Sequence, residues 1–322
     1  MNNTIIRKNY LKYKREINVV YIFLAIFSIF IIFKPYVFLK PDIYNAVFTS
    51  VPIIIILTIP IVFVITSGEM DLSFGSVMGI SGYSFAIITT KTNNPFLGMV
   101  ACFLTGLLCG YINGILITKL KLSSLVTTLG MMFFLRGVVM VLTQGNATPL
   151  VQLDGSIFSK IFVSKIGNFP VQMFWAIAAS IFLWFLFHRF RFGIHTHFVG
   201  DNRESAREMG INVDKTIIGC YMLVGFAASF SAILSALINK NFWPSTGDGY
   251  LLIILAAAFV GGTPTWGGVG TVFGAFLGAI IMGFLQTGII AIGLTGFYTN
   301  LVYGLMIVLS IISHRYSSER KR

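Results

Sequence analysis

The chain has 322 residues, of which 56% are hydrophobic and only 11% are charged, and its formal net charge is +12. Soluble domains carry about 25% charged residues, so this composition excludes a soluble globular protein and indicates an integral membrane protein. The apolar segments are long and continuous rather than alternating, which favours membrane-spanning helices over a barrel of strands.

The uncharged segments predict ten transmembrane helices, so the predicted fold class is an all-α polytopic membrane protein. In chain order the helices cover about 17–33, 44–66, 72–90, 96–118, 123–142, 170–187, 216–238, 250–262, 271–292 and 298–313. The eighth is short, and glycine-rich stretches leave a count of nine or eleven open.

The basic residues predict the orientation. With the N-terminus inside, sixteen Lys and Arg residues fall in inner segments and six in outer ones, as the positive-inside rule requires. Both termini are therefore predicted to be cytoplasmic. The predicted layout is a basic N-terminus at 1–16, a membrane domain at 17–314 and a basic tail at 315–322. An inner loop at 188–215 and an outer loop at 143–169 join helices of the membrane domain, and the outer loop has room for a short helix or hairpin.

The inner loop contains the most polar stretch of the chain. Asp201 is predicted to cap a helix of about two turns over 202–209, with Glu204 completing a capping box. Ala206 and Met209 are predicted to share the face left by the charged stripes that include Arg207, and Gly210 to end the helix. Because so short a helix is unstable alone, we expect it to dock on a partner; a solvated loop is the alternative.

Two glycine-rich stretches resemble one another. Ser73–Gly79 and Gly268–Gly274 each follow an apolar segment and open a helix rich in small residues. Interrupted helices at membrane depth often border a transport pathway, which makes Ser73, Gly268 and Gly270 candidate pathway residues. Close helix packing explains small residues equally well.

Charged and polar side chains inside membrane segments are also candidates for the pathway or its gate. Asp71 either caps a helix that begins at Leu72 or lines the pathway together with Glu69; a proton relay through both is the third interpretation. Arg136 is predicted to pair with Glu69, Asp71 or Asp154, to contact helix carbonyls, to snorkel or to contact substrate. Asn113 is predicted to bond a neighbouring helix or a hydroxylated solute.

Several kinds of site are not expected. Cys102, Cys109 and Cys220 fall inside predicted helices, and the four histidines at inner boundaries complete no metal-ligand set. No catalytic residue or cofactor site is predicted. The chain has no G-x-x-x-x-G-K-[ST] loop and no HExxH or GxSxG motif, so an ATP-driven activity would require an ATPase on another polypeptide.

Three stretches carry a resemblance to a known family. Glu204-Ser205-Ala206 followed by Gly210 resembles the EAA…G pattern of ABC importer permeases. Ile65–Ser76 resembles the TGGIDLSVGS signature of ribose-type sugar permeases, and Gly261–Thr271 resembles their GGTSLSGGRGS stretch. The resemblance covers residues 45–312, and it departs from the pattern at Glu69 and Val269.

The resemblance implies a permease subunit in the bacterial inner membrane that imports a small hydrophilic solute, a simple sugar such as ribose. It implies a second permease copy, a separate ATPase that uses ATP, and an extracytoplasmic solute-binding protein. The coupling residues it implies are Asp201, Glu204, Ala206, Arg207, Met209 and Gly210. A proton-coupled secondary transporter that uses Glu69 and Asp71 is the alternative, and a membrane-embedded enzyme is a third class.

Overall fold

The computed structural model describes residues 14–167 and 169–319, which contain fourteen α-helices and two pairs of short strands. The helices are α1 Lys14–Phe33, α2 Pro35–Phe38, α3 Pro41–Thr66, α4 Phe74–Thr92, α5 Pro95–Thr118, α6 Ser124–Thr143, α7 Ile157–Val163, α8 Val171–His188, α9 Arg191–Asp201, α10 Arg203–Glu208, α11 Val213–Asn239, α12 Tyr250–Val260, α13 Val272–Ala291 and α14 Phe297–Glu319. The strands are β1 Thr148–Pro149, β2 Lys165–Ile166, β3 Phe169–Pro170 and β4 Asn241–Phe242.

Each of the ten predicted membrane helices corresponds to a helix of the structure. Among the described residues, six are long and apolar enough to cross a membrane: α3, α5, α6, α8, α11 and α13. Shorter apolar stretches occur in α1, α12 and α14. The class of polytopic helical membrane protein is therefore confirmed, while ten crossings and two cytoplasmic termini stay predictions.

Helix α3 forms the centre of the molecule. It packs against α8, α11, α12 and α13, and its side chains from Val51 to Thr66 are all buried. Its two internal prolines, Pro52 and Pro60, are tolerated because neighbouring helices enclose the backbone that they leave irregular.

Small residues bring α5 and α11 into backbone contact. Gly106, Gly110 and Gly114 follow one another at intervals of one helical turn on α5. A Cβ atom on Gly110 would lie 2.3 Å from the carbonyl oxygen of Tyr221 on α11. This is the small-residue packing that lets helices approach closely in a membrane. The predicted core cysteines are free and buried in the same helices.

Two faces of the molecule differ in what they carry. One carries α9 and α10, and we call it the basal face. The opposite face carries α7, the antiparallel hairpin β2–β3 and the antiparallel pair β1–β4. The loop at 143–169, for which a short helix or a hairpin was predicted, thus contains α7 and the first strand of a hairpin. The C-terminus of α3 lies at the basal face, because Gly268 and the end of α9 contact Thr66.

Candidate functional site

Helix α10 begins one residue later than predicted. The side-chain oxygen of Asn202 accepts hydrogen bonds from the backbone N–H groups of Glu204 at 2.9 Å and Ser205 at 3.0 Å, so Asn202 is the N-cap. Asp201 is the last residue of α9, a helix that was not predicted. The predicted cap at Asp201 is therefore wrong, and Glu204 stands too close to the true cap to form a capping box.

The end of α10 agrees with the prediction. Gly210 has a φ of +78°, a left-handed conformation that glycine adopts without strain. Its N–H donates to the carbonyl of Arg207 at 2.9 Å, and the N–H of Ile211 donates to that of Ala206 at 3.0 Å. Gly210 thus terminates the helix in the manner of a C-terminal cap.

Ala206 of α10 and Met209, the residue that follows the helix, point in different directions. Ala206 is 1% exposed, whereas Met209 is 59% exposed. Their predicted common face is wrong: Ala206 packs inward, because α10 rests on α9 and α11. The outward surface includes Met209 and the exposed residues Glu204 and Arg207.

A partly buried ion pair attaches α10 to the segment that follows α3. Arg203 Nη2 lies 2.6 Å from Glu69 Oε1, and the Glu69 side chain is only 7% exposed. Removing one partner of such a pair leaves an uncompensated buried charge. Glu69, predicted at the pathway or gate, thus contacts the helix predicted to couple to an ATPase.

Backbone contacts at the basal face join three segments of the chain. The N–H of Gly268 donates to the carbonyl of Thr66 at 2.8 Å. A Cβ atom on Gly200 would lie 1.7 Å from that same carbonyl oxygen, so only glycine permits the approach of α9. Nδ1 of His197 donates to the carbonyl of Gly268 at 2.9 Å. Burial lowers the pKa of His197, which favours the neutral ring. We call these four residues the basal junction.

The two interrupted segments of the chain meet at this junction. The first interrupted segment, residues 67–73, and the second, residues 261–271, touch where Gly267 packs on Gly68. Gly270 packs against Thr66 and Phe187. Gly268 and Gly270 thus make close contacts between segments at the basal face.

The first interrupted segment has a turn where a helix start was predicted. Helix α4 begins at Phe74, so the prediction that Asp71 caps a helix from Leu72 is wrong. Oδ1 of Asp71 instead accepts from the N–H of Ser73 at 2.7 Å and from its hydroxyl at 2.6 Å. The same hydroxyl accepts from Nδ2 of Asn113 at 2.8 Å, which fulfils the predicted bond between Asn113 and a neighbouring segment.

Side chains from two other helices satisfy the backbone of this segment. The N–H groups of Met70 and Leu72 donate to the hydroxyls of Ser124 and Thr128 on α6. The hydroxyl of Tyr221 on α11 donates to the carbonyl of Met70 at 2.7 Å. Non-helical backbone at membrane depth requires such partners, and no pattern in the sequence pointed to these three side chains.

Arg136 has a different acidic partner from the three predicted. Its Nη2 lies 2.7 Å from Oδ1 of Asp248, and the guanidinium also donates to carbonyls of the segment before α12 and of α4. Those carbonyls belong to Pro244, Thr246 and Gly75. Asp154, one of the predicted partners, pairs with Lys240 at 2.6 Å. A signal for Asp248 existed, since it is the only acidic residue between Asp214 and Glu319.

Residues 242–249 fold back along α4. Successive glycines of α4 contact successive residues of this segment: Gly82 contacts Phe242, Gly79 contacts Thr246, and Gly75 contacts Gly247. We call residues 242–249 the re-entrant segment. Helix α12 then begins at Tyr250 and has only 11 residues, about 16 Å in length and roughly half the hydrocarbon thickness of a bilayer.

Interrupted helices that meet inside the bundle, together with a short exposed helix on the basal face, define a polytopic membrane transport subunit. The comparisons specify the family. Residues 43–311 match the family described as "Branched-chain amino acid transport system / permease component", and the chain belongs to this family of permeases in the bacterial inner membrane. The predicted family, multi-pass location and transport rather than enzymatic class are thereby confirmed.

Individual relatives are similar to the chain over most of their length. The ribose import permease protein RbsC of Escherichia coli K12 is 30% identical over 260 residues, 80% of this chain and 80% of its own. The L-arabinose transport system permease protein AraH of the same strain is 31% identical over 81% of this chain and 78% of its own. The autoinducer 2 import system permease protein LsrD of Klebsiella pneumoniae is 29% identical, over 83% and 81% respectively. No solved structure matches the chain.

Proposed function

We propose that the chain is the membrane-spanning permease subunit of an ATP-driven importer for a small hydrophilic solute, a simple sugar such as ribose. Membership of the permease family and the names of the relatives support the class and the solute. The observation that carries the mechanism is the construction of α10. Its own chain holds it through the Asn202 cap and the Arg203–Glu69 pair, while Met209 faces outward.

The proposed partners follow from the two faces. A separate ATPase, which binds and hydrolyses ATP, docks on α10 at the basal face, which is cytoplasmic. A solute-binding protein docks on the opposite face, where a pocket of about 300 Å³ is lined by Asp154 and by Lys160, Lys165 and Lys240. A second copy of the chain completes the pathway, and both basic termini, 1–16 and 315–322, lie in the cytoplasm.

We infer the coupling route from the contacts of α10. Movement of the ATPase displaces α10, and the Arg203–Glu69 pair transmits the displacement to the interrupted segment 67–73. The basal junction transmits it to the end of α3 through Thr66 and Gly200. Packed elements move as rigid bodies, so the displacement at α10 is carried through the membrane helices. ATP binding thereby shifts the populations of the inward-open and outward-open states.

The pathway residues are assigned roles on the same basis. Asp71, Ser73 and Asn113 form one hydrogen-bonded network that fixes the start of α4. Gly268 and Gly270 act as a hinge region at the basal junction, since side chains there would separate the segments that they join. These residues gate the pathway, and α10 controls the gate.

Replacement of Met209 by aspartate tests the docking assignment. Met209→Asp introduces a charge at the centre of the proposed interface without disturbing a buried residue. Burying an unpaired charged group costs about 1.4 kcal/mol or more, which is about tenfold in affinity. We expect the permease to keep its membrane level and elution profile but to retain less of its partner ATPase during affinity purification.

Ile157→Asp is the matched control. Ile157 is 76% exposed and begins α7 on the face opposite α10, so this variant should retain the ATPase as the parent chain does. Equal retention of the ATPase by Met209→Asp and by the parent chain would show that α10 is not the docking site.

A further inference from the structure

Asp248 lies where two interrupted helices meet. It occupies the re-entrant segment two residues before α12, next to Gly247, which packs on Gly75 near the start of α4. Its Oδ1 contacts Arg136 Nη2 at 2.7 Å, and its backbone N–H donates to the carbonyl of Ser245 at 2.9 Å. Oδ2 has no hydrogen-bond partner among the described residues, and the side chain is 57% exposed.

The position of Asp248 is well inside the membrane layer. Gly75 precedes the end of α4 at Thr92 by 17 residues, about 26 Å along the helix. Asn113, which contacts the turn before α4, precedes the other end of the bundle at Thr118 by five residues, about 8 Å. An exposed carboxylate at such a depth faces a water-filled cavity or a partner, because lipid disfavours it strongly.

The hydrogen bonds of Arg136 do not require the exposed oxygen of the Asp248 carboxylate. Three backbone carbonyls already accept hydrogen bonds from its guanidinium, and its side chain is only 17% exposed. The pair therefore presents one buried cation that is fixed in position and one carboxylate oxygen directed outward. A fixed polar group beside an open space is the usual construction of a small-molecule site.

We propose that Asp248 and Arg136 form a binding site for the hydroxyl groups of an uncharged polyol, the solute that the permease transports. This inference rests on the proposed function and adds the site at which the solute pauses. Oδ2 of Asp248 accepts from a hydroxyl of the solute. Arg136, whose Nη1 and Nη2 donors are committed to Asp248 and to three carbonyls, holds that carboxylate in position. The pair has no net charge, which suits a neutral solute.

Thiol labelling tests the site directly. The cysteines at 102, 109 and 220 are buried, so the parent chain should react little with a charged methanethiosulfonate reagent. Asp248→Cys in membranes should react, and D-ribose or L-arabinose, whichever the parent chain transports, should slow the reaction at least about threefold. Asp154→Cys, from the exposed pair on the opposite face, should react without protection. Val141→Cys, from an exposed position on α6, reports labelling of an apolar surface and should not react.

A transport assay with conservative variants separates binding from folding. Asp248→Asn keeps the shape of the side chain but weakens a charge-assisted hydrogen bond, so we expect the KM for sugar uptake to rise or the maximal rate to fall by about tenfold. Asp214→Asn, in the exposed pair with Lys119, should change uptake less than twofold, and both variants should retain the ATPase as the parent chain does.

These experiments distinguish failure of the polyol site from failure of the proposed transport function. Absence of sugar uptake by the parent chain with its partners would contradict the proposed function itself. Uptake by the parent chain with an unreactive thiol at 248, with labelling that the transported sugar does not slow, or with normal kinetics for Asp248→Asn would overturn the polyol site alone.

Discussion

Single charged residues determine how the polar parts of this membrane protein are connected. Among the described residues, ion pairs are formed by Glu69, Asp154, Asp214 and Asp248. Glu69 and Arg203 are 134 positions apart in the chain. The sequence identified Glu69 and Arg136 as unusual because charges are rare in membrane segments. It did not predict their partners, because such pairing depends on tertiary packing between distant segments.

Removal of Arg203 tests the role of the Glu69–Arg203 pair at the scale of single residues. Arg203→Ala leaves Glu69 buried and unpaired, which costs about 3 kcal/mol when the site stays dry. We discount this figure because Arg203 is 44% exposed, and we expect a loss of about 1 kcal/mol in stability together with a clear loss of transport-stimulated ATPase activity. Thermal unfolding in detergent and ATPase assays measure the two effects.

The control for this prediction is another ion pair, which joins Lys119 to Asp214 on α11. Lys119 and Asp214 lie 2.7 Å apart, with exposed side-chain fractions of 62% and 30%. Exposed pairs contribute about 0–1 kcal/mol, so Lys119→Ala should leave stability and stimulated ATPase activity nearly unchanged. The charge exchange Glu69→Arg with Arg203→Glu should recover part of the activity. Equal activities of Arg203→Ala and Lys119→Ala would remove the pair from the coupling route.

At the scale of elements, the sequence predicted the long helices well and the irregular segments poorly. Continuous apolar segments gave the long helices because membrane helices are defined by hydropathy. Helix α9 was missed because it mixes apolar and polar residues, and because Phe190, the residue before its first turn, provides no side-chain cap. The re-entrant segment was missed because its depth follows from contacts between Gly75 and Gly247, which no local pattern records.

A larger side chain at Gly110 tests the packing between α5 and α11 at the scale of elements. Gly110→Leu places a side chain where even a Cβ atom would lie 2.3 Å from the Tyr221 carbonyl oxygen. Overpacking of a tightly packed interior costs about 1–3 kcal/mol, so the variant should unfold at a lower temperature and accumulate less in the membrane. Fluorescence-detected gel filtration after heating measures the change.

Gly137→Leu on α6 is the control for glycine loss in a membrane helix. A Cβ atom on Gly137 would meet nothing within 4 Å, so this variant should unfold near the temperature of the parent chain. If Gly110→Leu were as stable as Gly137→Leu, the close contact between α5 and α11 would not be a source of stability.

At the scale of the whole molecule, one irregular segment joins two polar regions. The basal junction and the Glu69–Arg203 pair lie beside α10, and the Arg136–Asp248 pair lies at the start of α12. The interrupted segment 67–73 connects them, since it bonds to α5, α6 and α11. A displacement at α10 therefore has a continuous path of contacts to the proposed sugar site.

This arrangement distinguishes an ATP-driven importer from a proton-coupled transporter. A relay through Glu69 and Asp71 would need both carboxylates to exchange protons during transport. Glu69 is instead held by Arg203, and Asp71 by the N–H and hydroxyl of Ser73. These contacts favour structural and coupling roles for the two carboxylates.

The most direct measurement is sugar uptake into vesicles that contain the purified chain, its ATPase and its solute-binding protein. We predict that D-ribose or L-arabinose enters only when ATP reaches the ATPase, and that a protonophore leaves uptake unchanged. We also predict that Met209→Asp abolishes uptake, whereas the control variant Ile157→Asp retains ATPase binding. Uptake that proceeds without the ATPase, follows an imposed pH gradient and stops with the protonophore would contradict the assignment of α10 as the coupling helix of an ATP-driven permease.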